Sequence, residues 1–359
     1  MKRTTLFTIH SISGLIVGLF ILLMSVSGAL LVFHDELDRL HWPAVAAIPS
    51  EKNAGIDSCY TALRERIRGA RISHCMLPEK ITEPYLFTVY DSAYNGGKLP
   101  RQVFLHPQTT ATLGIRGGSK DISGNFMSWL AAFHNSFHAG KTGEWLLGFF
   151  AVLFFLSLVT GFFLYRKNIV TVLLFRRRVF RRSNLHQLIG VYALLFNLMI
   201  AVSGFWMQRY VFRPSFYKSF PEMKTEWRSS PASSFSMDSV LIQIKHQYPS
   251  FTPAVIYFAQ ASGSKTAVYG SHSSNSFIHS KKYADRIMLD STGAIATTAF
   301  VTDIPAADRY DIINAQVHYG RYGGWVVRVL YVLFGLSGAG LSITGFMLWR
   351  RRRLKTTAG

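Results

Sequence analysis

The sequence predicts an all-α membrane bundle of four spanning helices that carries two outer α+β domains. Three observations predict it. Four apolar stretches are each long enough to cross a bilayer, basic residues crowd beside them in short segments free of acid, and the order of helix, long loop, helix occurs twice.

Composition excludes the main rivals. With 49% hydrophobic residues and 28 Phe in 359 residues, lipid is a better solvent for this chain than water. A formal charge of +20 could suit nucleic acid, but the arginines lie beside apolar runs and no nucleic-acid motif occurs among them, so no such partner is expected.

A hydrocarbon core of about 30 Å needs roughly 20 apolar residues. The candidate spans run from Leu6 to Phe33, Trp145 to Tyr165, Leu185 to Met207 and Trp325 to Trp349. The first follows Lys2 and Arg3 but is too long for a signal sequence and lacks a small-residue cleavage site, so it reads as a retained helix. Fourteen basic residues and no Asp or Glu fill three short segments: Lys2 and Arg3; Arg166, Lys167, Arg176, Arg177, Arg178, Arg181 and Arg182; Arg350 to Arg353 with Lys355. The positive-inside bias makes these segments cytoplasmic, so both termini lie inside and the two long loops outside. The resulting division is a first helix over 1–34, an outer domain over 35–130, a second helix over 131–166 and a basic loop over 167–184. The second half has a third helix over 185–208, an outer domain over 209–315, a fourth helix over 316–350 and a basic tail over 351–359. Cys59 and Cys75 both fall in the first outer loop, where the compartment permits either a disulfide or two thiols.

The repeat extends to individual residues. His10, Gly14, Ser27 and Gly28 match His186, Gly190, Ser203 and Gly204 at an offset of 176. His138, Gly140, Gly143 and Trp145 match His318, Gly320, Gly323 and Trp325 at 180, and the second and fourth helices end in Thr160-Gly161 and Thr344-Gly345, the second copy being four residues longer. In the loops a helical stretch over 57–67 corresponds to one over 237–248, followed by strands such as 85–90 and 255–259. A strand and turn over 103–109 then correspond to 286–293, at an offset of 184 between His106 and Asp290.

Five histidines sit in or at the ends of these spans: His10, His134, His138, His186 and His318. Ionisable groups there are costly unless they bind something or pair across the bundle. The topology sorts them into an inner layer of His10 and His186 and an outer layer of His134, His138 and His318. Neutral imidazole is the commonest metal ligand, and two from facing helices can ligate a b-type haem on both sides. The absence of Cys-x-x-Cys-His excludes covalent attachment of the c type. The repeat pairs His10 with His186, and His318 with His138 or His134; it favours His138, which aligns with His318. Gly14, Gly190, Gly140 and Gly320 suit either a flat macrocycle or close helix packing. His34 reads as an interfacial residue, Asp35, Glu36 and Asp38 as a solvated helix end, and Asn197 as a packing hydrogen bond.

Phe133-His134-Asn135-Ser136-Phe137-His138-Ala139-Gly140, Val317-His318-Tyr319-Gly320-Arg321-Tyr322-Gly323-Gly324 and the Ser-Gly helices resemble the PepSY-associated transmembrane family. Within it the closest likeness is to bacterial inner-membrane ferric siderophore reductases, and it covers essentially the whole chain. The resemblance implies two PepSY-like outer domains and two haem b per chain. It further implies electron transfer to a ferric siderophore outside the bacterial inner membrane, with iron released as the ferrous ion. The donor, a quinol or a cytoplasmic reductase, is not encoded by any nucleotide or flavin fingerprint. In that family the histidine corresponding to His134 recurs, which pulls against the repeat-based choice of His138. The first loop departs from the family pattern with His106-Pro107-Gln108-Thr109 in place of an Asp-Pro-x-Thr-Gly turn. A non-enzymatic envelope-binding module and a siderophore permease are the alternatives; a permease is expected to show broken helices and polar groups at mid-membrane.

Overall fold

The computed structural model describes residues 2–42, 50–174, 182–213, 235–260, 265–272, 280 and 282–356. Arg176, Arg177, Arg178 and Arg181 of the basic loop lie outside the described residues. The chain divides into a helical unit (Met1–Phe33, Leu130–Pro221, Asn314–Gly359) and a sheet unit (His34–Trp129, Glu222–Ile313).

The helical unit is built on α1 (Arg3–Leu31), which is apolar throughout and has no acidic residue in its first turn. The sheet unit then contributes α2 (His34–His41), α3 (Ile56–Arg66) and four strands, β1 (Arg71–Met76), β2 (Tyr85–Tyr90), β3 (Pro100–Leu105) and β4 (Thr112–Gly117). Next come α4 (Phe126–Ser136), α5 (Gly140–Tyr165), α6 (Ile169–Leu173), α7 (Arg182–Tyr192) and α8 (Leu194–Gln208). The second loop supplies α9 (Met237–Gln247), β5 (Phe251–Tyr257), β6 (Thr266–His272), β7 (Asp285–Leu289) and β8 (Ile295–Ala299), and the chain ends with α10 (Ala306–Tyr319) and α11 (Gly324–Thr356).

Three helical spans among the described residues, Arg3–Leu31, Gly140–Leu173 and Gly324–Leu354, are long and apolar enough to cross a membrane. The stretch expected as a third straight span is instead two helices, Asn184–Tyr192 and Leu194–Phe212, bent by 62° at Ala193. No proline lies in it. Apolar side chains such as Leu19 (71% exposed) and Leu195 (81%) point outward, as lipid-facing residues do. Inward, Val17, Phe20, Ile21, Leu147, Phe154, Leu158 and Ala201 form one apolar core. Gly338 brings α11 against α1, since a Cβ there would meet Ser25 Oγ and Ile21. Asn197 is buried and its Nδ2 donates to Ser337 Oγ at 2.9 Å, so the packing hydrogen bond expected from the sequence is present.

The strands expected from both loops form one antiparallel sheet rather than two domains, in the order β4-β3-β2-β1-β5-β6-β7-β8. The two halves join where β1 pairs with β5, His74 opposite Tyr257 and Cys75 opposite Ile256. Pairing the two first strands leaves no sheet edge at the centre and lets α3 and α9 cover a single apolar face with Leu63, Ile72, Phe87, Val240, Phe251, Ile256 and Ile287 in its core. Cys59 and Cys75 are unbridged thiols within that core. Burial, with the charge of Asp238, pushes the Cys59 thiol up to about 12, and burial beside Cys59 raises Cys75 further.

The repeat is also closed by exchanged helix caps. The Asp238 carboxylate accepts from Ile56 N (2.9 Å) and Asp57 N (3.1 Å) at the start of α3. Asp57 in turn accepts from Met237 N (2.9 Å) and Asp238 N (3.1 Å) at the start of α9. Each helix N-terminus thus receives a carboxylate from the other half. In the second copy Asp290 Oδ1 holds the expected turn, accepting from Thr292 N and Ala294 N. In the first, His106 Nδ1 takes that place and accepts from Gln108 N and Thr109 N, so the departure in sequence preserves the turn. Asp57→Ala and Asp238→Ala are each expected to cost about 1–2 kcal/mol, since each removes its own pair of cap hydrogen bonds. Thermal unfolding in detergent, followed by near-UV circular dichroism, measures this; unchanged midpoints would contradict the exchanged caps.

Candidate functional site

The geometry sorts the five membrane histidines into four and one. His10 on α1 and His186 on α7 face each other with ring centres 6.2 Å apart and planes at 73°. Both line a cavity of about 540 Å³ in the helical unit, walled by glycines and apolar side chains including Gly14, Gly161, Gly190, Leu341 and Gly345. That volume falls within the roughly 300–1,000 Å³ typical of small-molecule pockets.

Each of the four histidines is held in the same way. His10 Nδ1 lies 2.9 Å from the Ser157 carbonyl and 3.4 Å from Thr160 Oγ1 on α5. His186 Nδ1 lies 2.8 Å from Thr344 Oγ1 on α11 and also bonds the Leu341 carbonyl. His134 Nδ1 on α4 lies 2.8 Å from Ser27 Oγ on α1, and His318 Nδ1 on α10 lies 2.9 Å from Ser203 Oγ on α8. The last two histidines are within electrostatic range of each other.

The hydroxyls settle which nitrogen carries the proton. Ser27 Oγ donates to Leu23 O (2.8 Å), Ser203 Oγ to Met199 O (2.7 Å), Thr160 Oγ1 to Leu156 O (2.8 Å) and Thr344 Oγ1 to Gly340 O (2.6 Å). With its proton committed to the preceding turn, each hydroxyl has only lone pairs to offer the ring. Nδ1 is therefore the donor in all four rings. Nε2 keeps its lone pair, the state in which imidazole binds a metal.

A glycine follows every one of those hydroxyl residues, and the ring lies against it. A Cβ on Gly28 would stand 3.1 Å from His134 Cε1, on Gly204 3.2 Å from His318 Cε1, on Gly161 3.0 Å from His10 Cε1 and on Gly345 3.4 Å from His186 Cε1. The Ser-Gly and Thr-Gly pairs are thus imidazole seats. Gly14 and Gly190 line the cavity and also pack closely, facing Ser157 Oγ and Leu341 Cδ2.

The geometry supports His134 over the repeat-based choice of His138 as the counterpart of His318. His134, not His138, has the Ser-Gly seat equivalent to that of His318. His138 lies in the turn between α4 and α5 with φ +57° and its ring near Phe133, 6.5 Å between centres. The sequence held the signal: the offset of 184 between His106 and Asp290 also relates Thr160 to Thr344 and His134 to His318. The match at 180 is a local coincidence of His, Gly and Trp. His34 pairs with Asp35 at 2.9 Å, and Asp38 accepts both terminal nitrogens of Arg116, so neither belongs to the site.

Apolar helices carrying four seated histidines, in a chain with an internal repeat, define a membrane protein with intramembrane imidazoles, of which His10 and His186 lie side by side. The chain belongs to the family described as the PepSY-associated TM region, whose model matches residues 7–352. No curated protein matches it closely enough to add to this.

The seats make a prediction that needs no bound group. In ¹⁵N-histidine-labelled protein free of cofactor, ring-nitrogen NMR shifts should show His10, His134, His186 and His318 protonated at Nδ1. Ser27→Ala should move only His134, and Ser203→Ala only His318, toward the other tautomer. Protonation at Nε2 in the unaltered protein would contradict the assignment.

Proposed function

We propose that this protein is a two-haem b-type electron-transfer protein of the bacterial inner membrane that reduces ferric siderophore on the outer side and so releases ferrous iron. The observation that carries the reading is the set of four imidazoles, each anchored through Nδ1, with His10 and His186 side by side in one cavity. Family membership supports the membrane setting. The bent pair of helices then serves as the fourth span, and Lys2, Arg3, Arg166, Lys167 and Arg350 to Arg353 face the cytoplasm, with the sheet unit outside.

The inner pair fits the group. His10 and His186 line one cavity with ring centres 6.2 Å apart, and each is anchored through Nδ1, which would leave Nε2 to ligate a metal there. His10 and His186 would hold one haem, His134 and His318 the other, with iron supplying one-electron redox chemistry when bound. The residues around them do the rest. Ser27, Ser203, Thr160 and Thr344 fix ring orientation and basicity, as outer partners of metal ligands do. Phe20 and Phe150 (ring centres 4.4 Å apart) and their counterparts Phe196 and Phe334 (5.6 Å) fill apolar space and exclude water. His10 and Ser27 are 17 residues apart on α1, so the two layers lie about 25 Å apart and divide the crossing into shorter intervals.

The bend at Ala193 is the one feature shared with a permease, but the buried polar group beside it, Asn197, is bonded to Ser337 and offers no open polar pathway.

Protein purified in mild detergent should give a b-type spectrum and a pyridine haemochrome value near two haems per chain. His10→Ala, His186→Ala, His134→Ala and His318→Ala should each lose about one, and His138→Ala should keep both. A colourless protein after haem-replete expression would overturn the reading.

A further inference from the structure

Among the described residues lining the His10–His186 cavity, Arg352 is the only one with a formal charge, and no acidic side chain shares that lining. It ends a stripe along one face of α11 that runs through Gly338, Leu341, Gly345 and Trp349, all of them cavity residues. Gly345, against which His186 Cε1 rests, and Arg352 are seven residues apart, two turns on the same face and about 10.5 Å along the axis. The Arg352 guanidinium stands 4.2 Å over the ring of Phe7, which lines the same cavity one turn before His10 on α1. The cation is thus held at the rim of an apolar chamber, a short helix length from the imidazoles. A planar fork of donors in that position suits a carboxylate, which it can bind through two parallel hydrogen bonds.

We propose that Arg352 anchors a carboxylate of the cofactor held by His10 and His186. A haem carries its propionates on one edge, so this pairing turns that edge toward the basic end of the bundle and the apolar edge toward Gly338. The inference rests on the two-haem reading. At the repeat offset of 184 the matching position is Asn168, which is uncharged, so the anchor belongs to one half only.

The test follows loss of haem from the full-length holoprotein in detergent to excess apomyoglobin. Arg352→Gln should release one of its two haems about tenfold faster, because the amide keeps one neutral donor but loses the charge and the second bond, while the other haem leaves at the unaltered rate and reports that the protein is folded. Arg351→Gln, outside the cavity, should change nothing. With haem dimethyl ester, which has no free carboxylate, unaltered protein and Arg352→Gln should release at the same rate. Equal rates with ordinary haem would overturn the anchor, as would a difference that persists with the ester. Protein without any haem would overturn the two-haem reading itself, so the two failures are distinct.

Discussion

A histidine buried among apolar helices depends on the neighbouring helix for a partner to its ring N–H. Here the neighbour offers a hydroxyl whose proton is already bound to its own backbone, followed by a glycine that leaves room for the ring. The hydroxyl fixes Nδ1–H, and the glycine fixes the approach. Four repetitions of that seat hold four imidazoles, two of them side by side at the cavity in the helical unit. Removing a seat residue leaves a helix intact but frees its partner ring, which is why the Ser-Gly and Thr-Gly pairs matter as much as the histidines.

Duplication explains how one seat design fills the helical unit. Phe20 with Phe150 and Phe196 with Phe334 repeat the same mid-helix contact, and the seats of His10 and His186 repeat down to the carbonyls of Ser157 and Leu341. The sheet unit shows the same history in another form. Its halves pair through β1 and β5 and exchange carboxylate caps through Asp57 and Asp238, so neither half closes its core alone. Symmetry is incomplete at Ala193, where one half bends and the other does not.

Much of this was legible in the sequence. Alternation predicts strand β2 over its observed range and periodicity the helices of both loops to within a residue, and spacing alone marks the Ser-Gly and Thr-Gly pairs. What could not be read was non-local or ambiguous in register. Pairing β1 with β5 joins strands about 180 residues apart, and alternation within each strand is the same whether the partner is near or far. The bend has no proline to announce it. His134 and His138 answer to two competing offsets, and the local match at 180 masks the one at 184 that the flanking turn and the Thr-Gly pair support.

Electron paramagnetic resonance of the oxidised, haem-loaded protein tests the paired-imidazole account most directly. Two low-spin ferric signals of the bis-imidazole type, in equal amounts, are predicted. A high-spin signal from either centre, or a single low-spin signal accounting for all the iron, would show that the four seated histidines do not act as two axial pairs.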